Sequence, residues 1–118
     1  MDLKEVMSCK NFAVVGDTLQ ENKYARKIKQ GLMEKGYEVF PVGKELSSIN
    51  DIAEDIDIID LCINPESGLK LIQECRKPFK CIVIQPGAKD KKLISYLREN
   101  NLPYIEDCLL VGLHKYTK

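Results

Sequence analysis

Short apolar runs alternate with amphipathic stretches along most of this chain. Each apolar run is short enough to form one strand, and the runs lie at Phe12 to Val15, Val39 to Val42, Ile56 to Ile63, Cys81 to Ile84 and Pro103 to Ile105. Segments that are apolar at nearly every position are typical of strands buried on both faces of a parallel sheet. The pattern therefore predicts five buried parallel strands.

The stretches between these runs have the periodicity of helices. Apolar side chains recur on one helical face in three groups, which are Ala25, Ile28 and Leu32, then Leu69, Ile72 and Cys75, then Leu93, Ile94 and Leu97. A short helix is also expected before the first strand, from the shared face of Leu3, Val6 and Met7. Residues suited to helix ends lie nearby, with Asn22, Ser67 and Asp90 as N-caps and Gly36 and Asn100 at C-termini.

Strands that alternate with helices require right-handed crossovers, which build a parallel sheet covered by helices on both faces. The sequence therefore predicts one domain spanning residues 1–118, a Rossmann-like α/β three-layer sandwich with a five-stranded parallel sheet in the order 3-2-1-4-5. In such sheets a ligand binds beyond the carboxyl ends of the strands, where the strand order reverses. Candidate turns are Gly16 to Asn22, Gly43 to Glu45, Asn64 to Ser67 and Gln85 to Lys89.

The charge and cysteine content narrow the classes of partner. Lys plus Arg and Asp plus Glu each number 18, so no overall field attracts nucleic acid or an anionic membrane. The five cysteines are an odd number without a CxxC pair, and no signal peptide precedes them, which favours reduced thiols in the cytoplasm. We expect a cytoplasmic protein that takes a small-molecule ligand, with no nucleic acid, membrane or metal site, and with no protein partner indicated.

The turn after the first strand departs from the dinucleotide-binding fingerprint. Gly16 is followed by Asp17 and Thr18, without the two further glycines of that motif. Gly16 allows a sharp bend, Thr18 offers a hydroxyl, and Lys23 begins a helix whose N-terminus favours an anion, so the turn could hold a diphosphate. Alternatively, Thr18 caps the helix in a Thr-x-x-Glu box with Glu21, and Lys23 is only solvated.

The end of the second strand indicates a phosphorylated ribose. Proteins that bind NAD usually place an acidic side chain there, whereas this chain has Val42, Gly43 and Lys44. A lysine suits the phosphate of NADP or the 3′-phosphate of coenzyme A. Glu45 opposes this interpretation, and an exposed lysine is often only a solvated residue.

Residues suited to catalysis are scarce. His114 is the only histidine, and it lies in the C-terminal tail without an identifiable partner. Cys62 and Cys81 lie in predicted strands and are expected to pack in the core, while Cys108 follows the last strand and is the candidate reactive thiol. No catalytic residue is assigned. The open alternatives are a minimal NADP-binding oxidoreductase, or the cofactor-binding half of one, and an interaction domain with a vestigial pocket.

Five segments together resemble the small stand-alone CoA-binding domain proteins. They are Val14-Val15-Gly16-Asp17-Thr18 with Lys23, Gly36-Tyr37-Glu38-Val39-Phe40-Pro41-Val42, Asn64-Pro65-Glu66, Gln85-Pro86-Gly87-Ala88 and Asp107-Cys108. The resemblance implies a Rossmann-like domain, related to the CoA-binding portion of succinyl-CoA synthetase, that binds coenzyme A or an acyl-CoA as a binding or regulatory module.

Carried onto this chain, the resemblance assigns parts of the ligand to parts of the sheet edge. Gly16, Asp17, Thr18 and Lys23 would face the diphosphate, and Val42, Gly43 and Lys44 the adenosine end. The neighbouring loops would be formed by Asn64, Pro65, Gln85, Pro86, Gly87 and Ala88. Relatives often have Val-Asn-Pro where this chain has Val42-Gly43-Lys44, and Pro86-Gly87 could instead be only a tight turn.

Overall fold

In a computed structural model, which describes residues 1–117, the chain forms an all-parallel sheet of five strands. The strands are β1 (Asn11–Gly16), β2 (Glu38–Gly43), β3 (Ile58–Cys62), β4 (Cys81–Ile84) and β5 (Tyr104–Glu106). All five coincide with predicted apolar runs, although β3 is shorter than the run at its position. The predicted α/β class and parallel sheet are confirmed.

The predicted strand order is wrong, because the sheet has the order β2-β1-β3-β4-β5. β1 pairs with both β2 and β3, so β2 is an edge strand. Pro41 suits that edge, since proline cannot donate a hydrogen bond to a neighbouring strand. Its carbonyl accepts a hydrogen bond from Leu46 N–H, on the side away from β1. In the predicted order β2 would have been an interior strand, and β3 an edge strand despite its buried side chains.

Helices cover both faces of the sheet. The first face carries α1 (Leu3–Met7), α2 (Tyr24–Glu34) and α5 (Leu109–Tyr116), which pack on Phe12, Val14 and Val83. The second face carries α3 (Pro65–Glu74), α4 (Lys91–Glu99) and the connection from β2 to β3, which includes a 3-10 turn at Ile49–Asp51. No helix within residues 1–117 has both the length and the apolar content needed to cross a membrane.

The helix ends match the sequence predictions only in part. Asp90 caps α4 as predicted, and Gly36 has a positive φ of 87° after α2. Two N-cap predictions are wrong: α3 is capped by Asn64, whose side chain accepts a hydrogen bond from Ser67 N–H, and α2 starts after Lys23 without a side-chain cap. After α4 the left-handed residue is Asn101, one position beyond the predicted Asn100.

The C-terminal helix α5 was not predicted. Only Leu109 and Leu113 bury an apolar side chain on its inner face, with Gly112 packed against Met7 between them. A single turn of apolar spacing with a central glycine gives little helical signal. The helix is nevertheless held in place, because it fills the sheet face between α1 and α2.

Candidate functional site

The strand order reverses between β1 and β3, where the ends of three strands meet with close backbone packing. Gly16 pairs with Gly43 on β2 and with Cys62 on β3. A Cβ atom on Gly16 would lie 2.5 Å from the Cys62 carbonyl oxygen, and one on Gly43 would lie 2.8 Å from the Gly16 carbonyl oxygen. Both glycines also have positive φ angles, of 150° and 124°. Both positions therefore require glycine. The carboxyl ends of β1, β2 and β3 lie side by side here, at the crevice where a parallel sheet of this kind binds its ligand.

The turn between β1 and α2 is organised by Asp17. Its carboxylate accepts hydrogen bonds from the backbone N–H groups of Leu19 and Gln20, at 3.1 and 3.2 Å. These hydrogen bonds hold the pKa of Asp17 below its ordinary value, and the charges of Lys44 and Lys23 act in the same direction. Asp17 is therefore an anion that neighbours both lysines predicted to contact a ligand.

Thr18 and Glu45 connect this turn to the loop after β2. Thr18 is fully buried, and its hydroxyl donates a hydrogen bond of 2.6 Å to Glu45 Oε2. The same oxygen accepts a hydrogen bond of 2.8 Å from Lys29 Nζ. The hydrogen bond from Lys29, followed by that from Thr18, lowers the pKa of Glu45, and the charge of Arg26 contributes. The alternative capping box with Glu21 is not formed.

The loops after β3 and β4 complete the edge. Gln85 to Ala88 form a tight turn in which Ala88 N–H donates to the Gln85 carbonyl, and Gly87 has a φ of 89°. A small pocket of about 220 Å³ lies between this turn, the end of β3 and the start of α2. Its lining consists of Tyr24, Cys62, Ile63, Asn64, Gln85, Pro86, Gly87 and Ala88.

A larger groove of about 1190 Å³ runs between the N-terminal halves of α3 and α4. Asn64, the N-cap of α3, lines both this groove and the small pocket. Lys70, Lys91 and Lys92 lie along the groove together with Glu66 and Asp90. One end of the groove therefore lies beside the carboxyl ends of β3 and β4, where α3 and α4 begin.

A buried polar cluster lies beneath the small pocket. Asp60 on β3 is fully buried; it accepts hydrogen bonds from Gln85 Nε2 at 2.9 Å and from the Cys62 thiol at 3.1 Å. Burial raises the pKa of Asp60 to about 6, although both hydrogen bonds act in the opposite direction. Burial and the neighbouring Asp60 carboxylate raise the pKa of the Cys62 thiol well above its ordinary value. Cys62 is therefore a neutral hydrogen-bond donor at rest.

The structure places every predicted site residue at this one edge of the sheet. Lys23, Gly43, Lys44, Asn64, Pro86 and Gly87 are exposed, whereas Gly16, Thr18, Val42, Gln85 and Ala88 are buried. Sequence reasoning missed Tyr24 and Lys29. Tyr24 is 65% exposed at the mouth of the small pocket, and neither residue belongs to a recognisable motif.

Two residues that the sequence offered as catalytic candidates lie next to or on α5. Cys108 is partly buried just before α5, and His114 is exposed on that helix. No group of three or more His, Cys, Asp or Glu side chains suited to a metal ion occurs in the part of the chain that the structure describes.

Comparisons with known proteins give one family and several similar folds. The sequence profile of the family described as CoA binding domain matches residues 10–114. No curated protein matches the chain at a significant level.

Three solved structures illustrate the similarity in fold. A conserved hypothetical protein from Pyrococcus furiosus is 28% identical with a TM-score of 0.78, over 87% of this chain and 98% of that one. A hypothetical protein from Pyrococcus horikoshii OT3 is 21% identical with a TM-score of 0.88, over 98% and 89%. A protein from Thermus thermophilus is 22% identical with a TM-score of 0.78, over 98% and 99%.

Proposed function

This chain belongs to the CoA-binding domain family, and on that premise we propose that it binds coenzyme A or an acyl-CoA across the carboxyl edge of its sheet. The observation that carries the proposal is that the matched region, residues 10–114, contains every candidate site residue from Gly16 to Ala88. We assign no catalytic residue, and the proposed role is that of a binding or regulatory module.

The diphosphate is proposed to bind at the N-terminus of α2. This helix starts after Lys23 with no side-chain cap, whereas α3 and α4 are capped by Asn64 and Asp90. Free N–H groups and the positive end of a helix dipole attract phosphate oxygens. Lys23 adds an exposed positive charge at the same place.

The two ends of the ligand would then lie on opposite sides of this turn. Val42, Gly43 and Lys44 follow β2 and are proposed to receive the adenosine with its 3′-phosphate. In the other direction, two strand steps of about 5 Å each separate β1 from β4. The extended arm of coenzyme A can cross that distance, past Asn64 and Pro65 to the Gln85–Ala88 turn and the groove beyond.

A minimal NADP-binding oxidoreductase, or its cofactor-binding half, is the second candidate. Lys44 favours it, because NADP also carries a phosphorylated ribose. The turn after β1 opposes it, since Thr18 and Glu21 occupy the positions of the second and third glycines of the dinucleotide fingerprint.

A ligand panel tests the proposal and separates the two candidates. Thermal unfolding with CoA, acetyl-CoA, NAD and NADP should show stabilisation by the two CoA species only. A ligand at 100 times its Kd should add about 2.7 kcal/mol to the free energy of unfolding. A response to NADP with none to either CoA species would instead favour the oxidoreductase.

A single substitution tests the position of the diphosphate. Lys23→Ala should weaken CoA binding by about 1.5–3 kcal/mol, because it removes a charged hydrogen-bond donor, while leaving stability nearly unchanged. The matched control is Lys10→Ala. Lys10 is also exposed, but it directly precedes β1 and so lies at the amino ends of the strands, away from the proposed site. Calorimetric affinities that are equal for Lys23→Ala and the wild type would leave Lys23 as a solvated residue.

A further inference from the structure

The carboxylate of Glu45 occupies a place that is built for an anion. Glu45 Oε2 accepts two short hydrogen bonds, 2.6 Å from the Thr18 hydroxyl and 2.8 Å from Lys29 Nζ. Short bonds of this kind involving an ion are stronger than those between neutral groups. The guanidinium of Arg26 donates to the Leu19 carbonyl, and its charge acts on Glu45 only at longer range. A hydroxyl and an ammonium therefore contact one negative group.

The donors of this arrangement belong to the framework, whereas Glu45 belongs to a loop. Thr18 is fully buried, and the Lys29 side chain, on the second turn of α2, is only 19% exposed. The Glu45 side chain is 30% exposed and lies in the loop between Gly43 and Leu46. Leu46 N–H donates to the Pro41 carbonyl and Gly43 N–H donates to the Leu46 carbonyl, so the backbone on both sides of Glu45 is anchored to β2.

We propose that Glu45 is an internal competitor of the ligand, and that Thr18 and Lys29 form an anion subsite which a phosphate group of the ligand takes over when Glu45 swings out. This inference rests on the proposed function for the identity of the ligand. A buried hydroxyl and a partly buried ammonium are costly to leave without a partner. Departure of Glu45 is therefore coupled to arrival of another anion.

Neutralising Glu45 should strengthen binding of phosphate ligands. Glu45→Gln keeps the shape of the side chain and can still accept from Thr18, but it removes the competing charge. By calorimetry, CoA and inorganic pyrophosphate should each bind about 1.4-fold to fivefold tighter to Glu45→Gln than to the wild type, which is the range expected for breaking a partly exposed charged pair. Glu21→Gln, which removes an equal charge from the neighbouring turn, should give a smaller gain that salt removes.

Lys29 identifies the subsite that is responsible. In a Lys29→Met background the gain from Glu45→Gln should disappear, because the cation for which carboxylate and phosphate compete is gone. Thermal unfolding of each variant without ligand shows whether it is folded before its affinity is interpreted.

The outcomes separate this inference from the proposed function. If the wild type binds CoA but Glu45→Gln binds it equally or more weakly, the inference is wrong and the proposed function stands. A gain that persists undiminished with Met at position 29 would also overturn it. If neither protein binds CoA, the proposed function fails, and the pyrophosphate titration decides: tighter binding to Glu45→Gln supports the subsite, and equal binding refutes it.

Discussion

Replacing Asp60 by Asn should stabilise this protein at neutral pH, although it removes a hydrogen-bonded charge from the core. Asp60 is fully buried on β3 and is contacted by two neutral donors, the Gln85 amide and the Cys62 thiol. No cation is among the causes of its raised pKa. An asparagine has the same shape and can still accept from Gln85 while no longer requiring a buried charge.

The magnitude follows from the pKa of the carboxyl. Burial raises it from 3.8 to about 6 in the folded protein, and each unit corresponds to about 1.4 kcal/mol. The ionised form therefore destabilises the fold by at most about 3 kcal/mol. Because the folded pKa is raised, the stability that protonation provides is fully present below pH 3.8 and is lost as the pH rises through about 6.

Urea unfolding between pH 4 and pH 8 measures this effect as a difference between variants. The stability of Asp60→Asn minus that of the wild type should rise through this window and level off above pH 6. Other groups that titrate cancel in the difference. The Cys62 thiol, which contacts Asp60, stays neutral throughout this window because burial raises its pKa well above the ordinary value.

Asp57 provides a control of opposite sign. Burial raises its pKa, but hydrogen bonds from the backbone N–H groups of Asn11 and Lys10 and from Lys80 outweigh it, so the net pKa is lowered. Asp57→Asn should therefore cost a nearly constant amount of stability between pH 4 and pH 8, because the lowered pKa lies below this window and the loss shrinks only as the pH falls below 3.8. A difference curve for Asp60→Asn that is as flat as that of the Asp57 variant, or that falls as the pH rises, would refute the reasoning about burial.

Two further substitutions test the ligand site and its backbone. Lys44→Ala should remove most of the preference for CoA over dephospho-CoA, a few-fold effect because an exposed pair contributes about 0.2–1 kcal/mol, and calorimetry at two salt concentrations should show the wild-type preference shrinking with salt. An unchanged preference would make Lys44 a bystander. Gly43→Ala should destabilise by about 1–3 kcal/mol in urea unfolding, because its Cβ would lie 2.8 Å from the Gly16 oxygen at a φ of 124°. Gly36→Ala should cost less, since nothing lies within 4 Å, and equal losses would contradict the steric argument.

The sequence was sufficient to predict the strands and the edge at which the candidate residues meet. Continuous apolar runs leave few alternatives to a buried strand, and parallel strands bring all their carboxyl ends to one edge. The strand order was mispredicted because apolar runs of similar length do not reveal which strands pair. Pro41 was the available signal, since a proline nitrogen within β2 is compatible only with an edge.

The partner of Thr18 could not have been predicted from local patterns. A Thr-x-x-Glu spacing favours a capping box with Glu21, but the hydroxyl contacts Glu45, 27 residues further along the chain. That contact depends on β2 lying directly beside β1, which places the loop after β2 against the turn after β1. Asp60 shows the same limit, because the hydrogen bond that it accepts from Gln85 joins β3 to the turn after β4, and these lie side by side only in the folded sheet.

The two edge strands of the sheet, β2 and β5, affect how readily this protein aggregates at high concentration. A strand edge with free N–H and C=O groups is a template on which another chain can pair and begin to aggregate. On β2 that template is interrupted by Pro41 and partly occupied by Leu46 of the same chain. The other edge, β5, is only three residues long. Neither edge offers a continuous row of hydrogen-bonding groups, so the fold resists fibre-like growth by strand addition even though its central strands are among the most apolar segments of the chain.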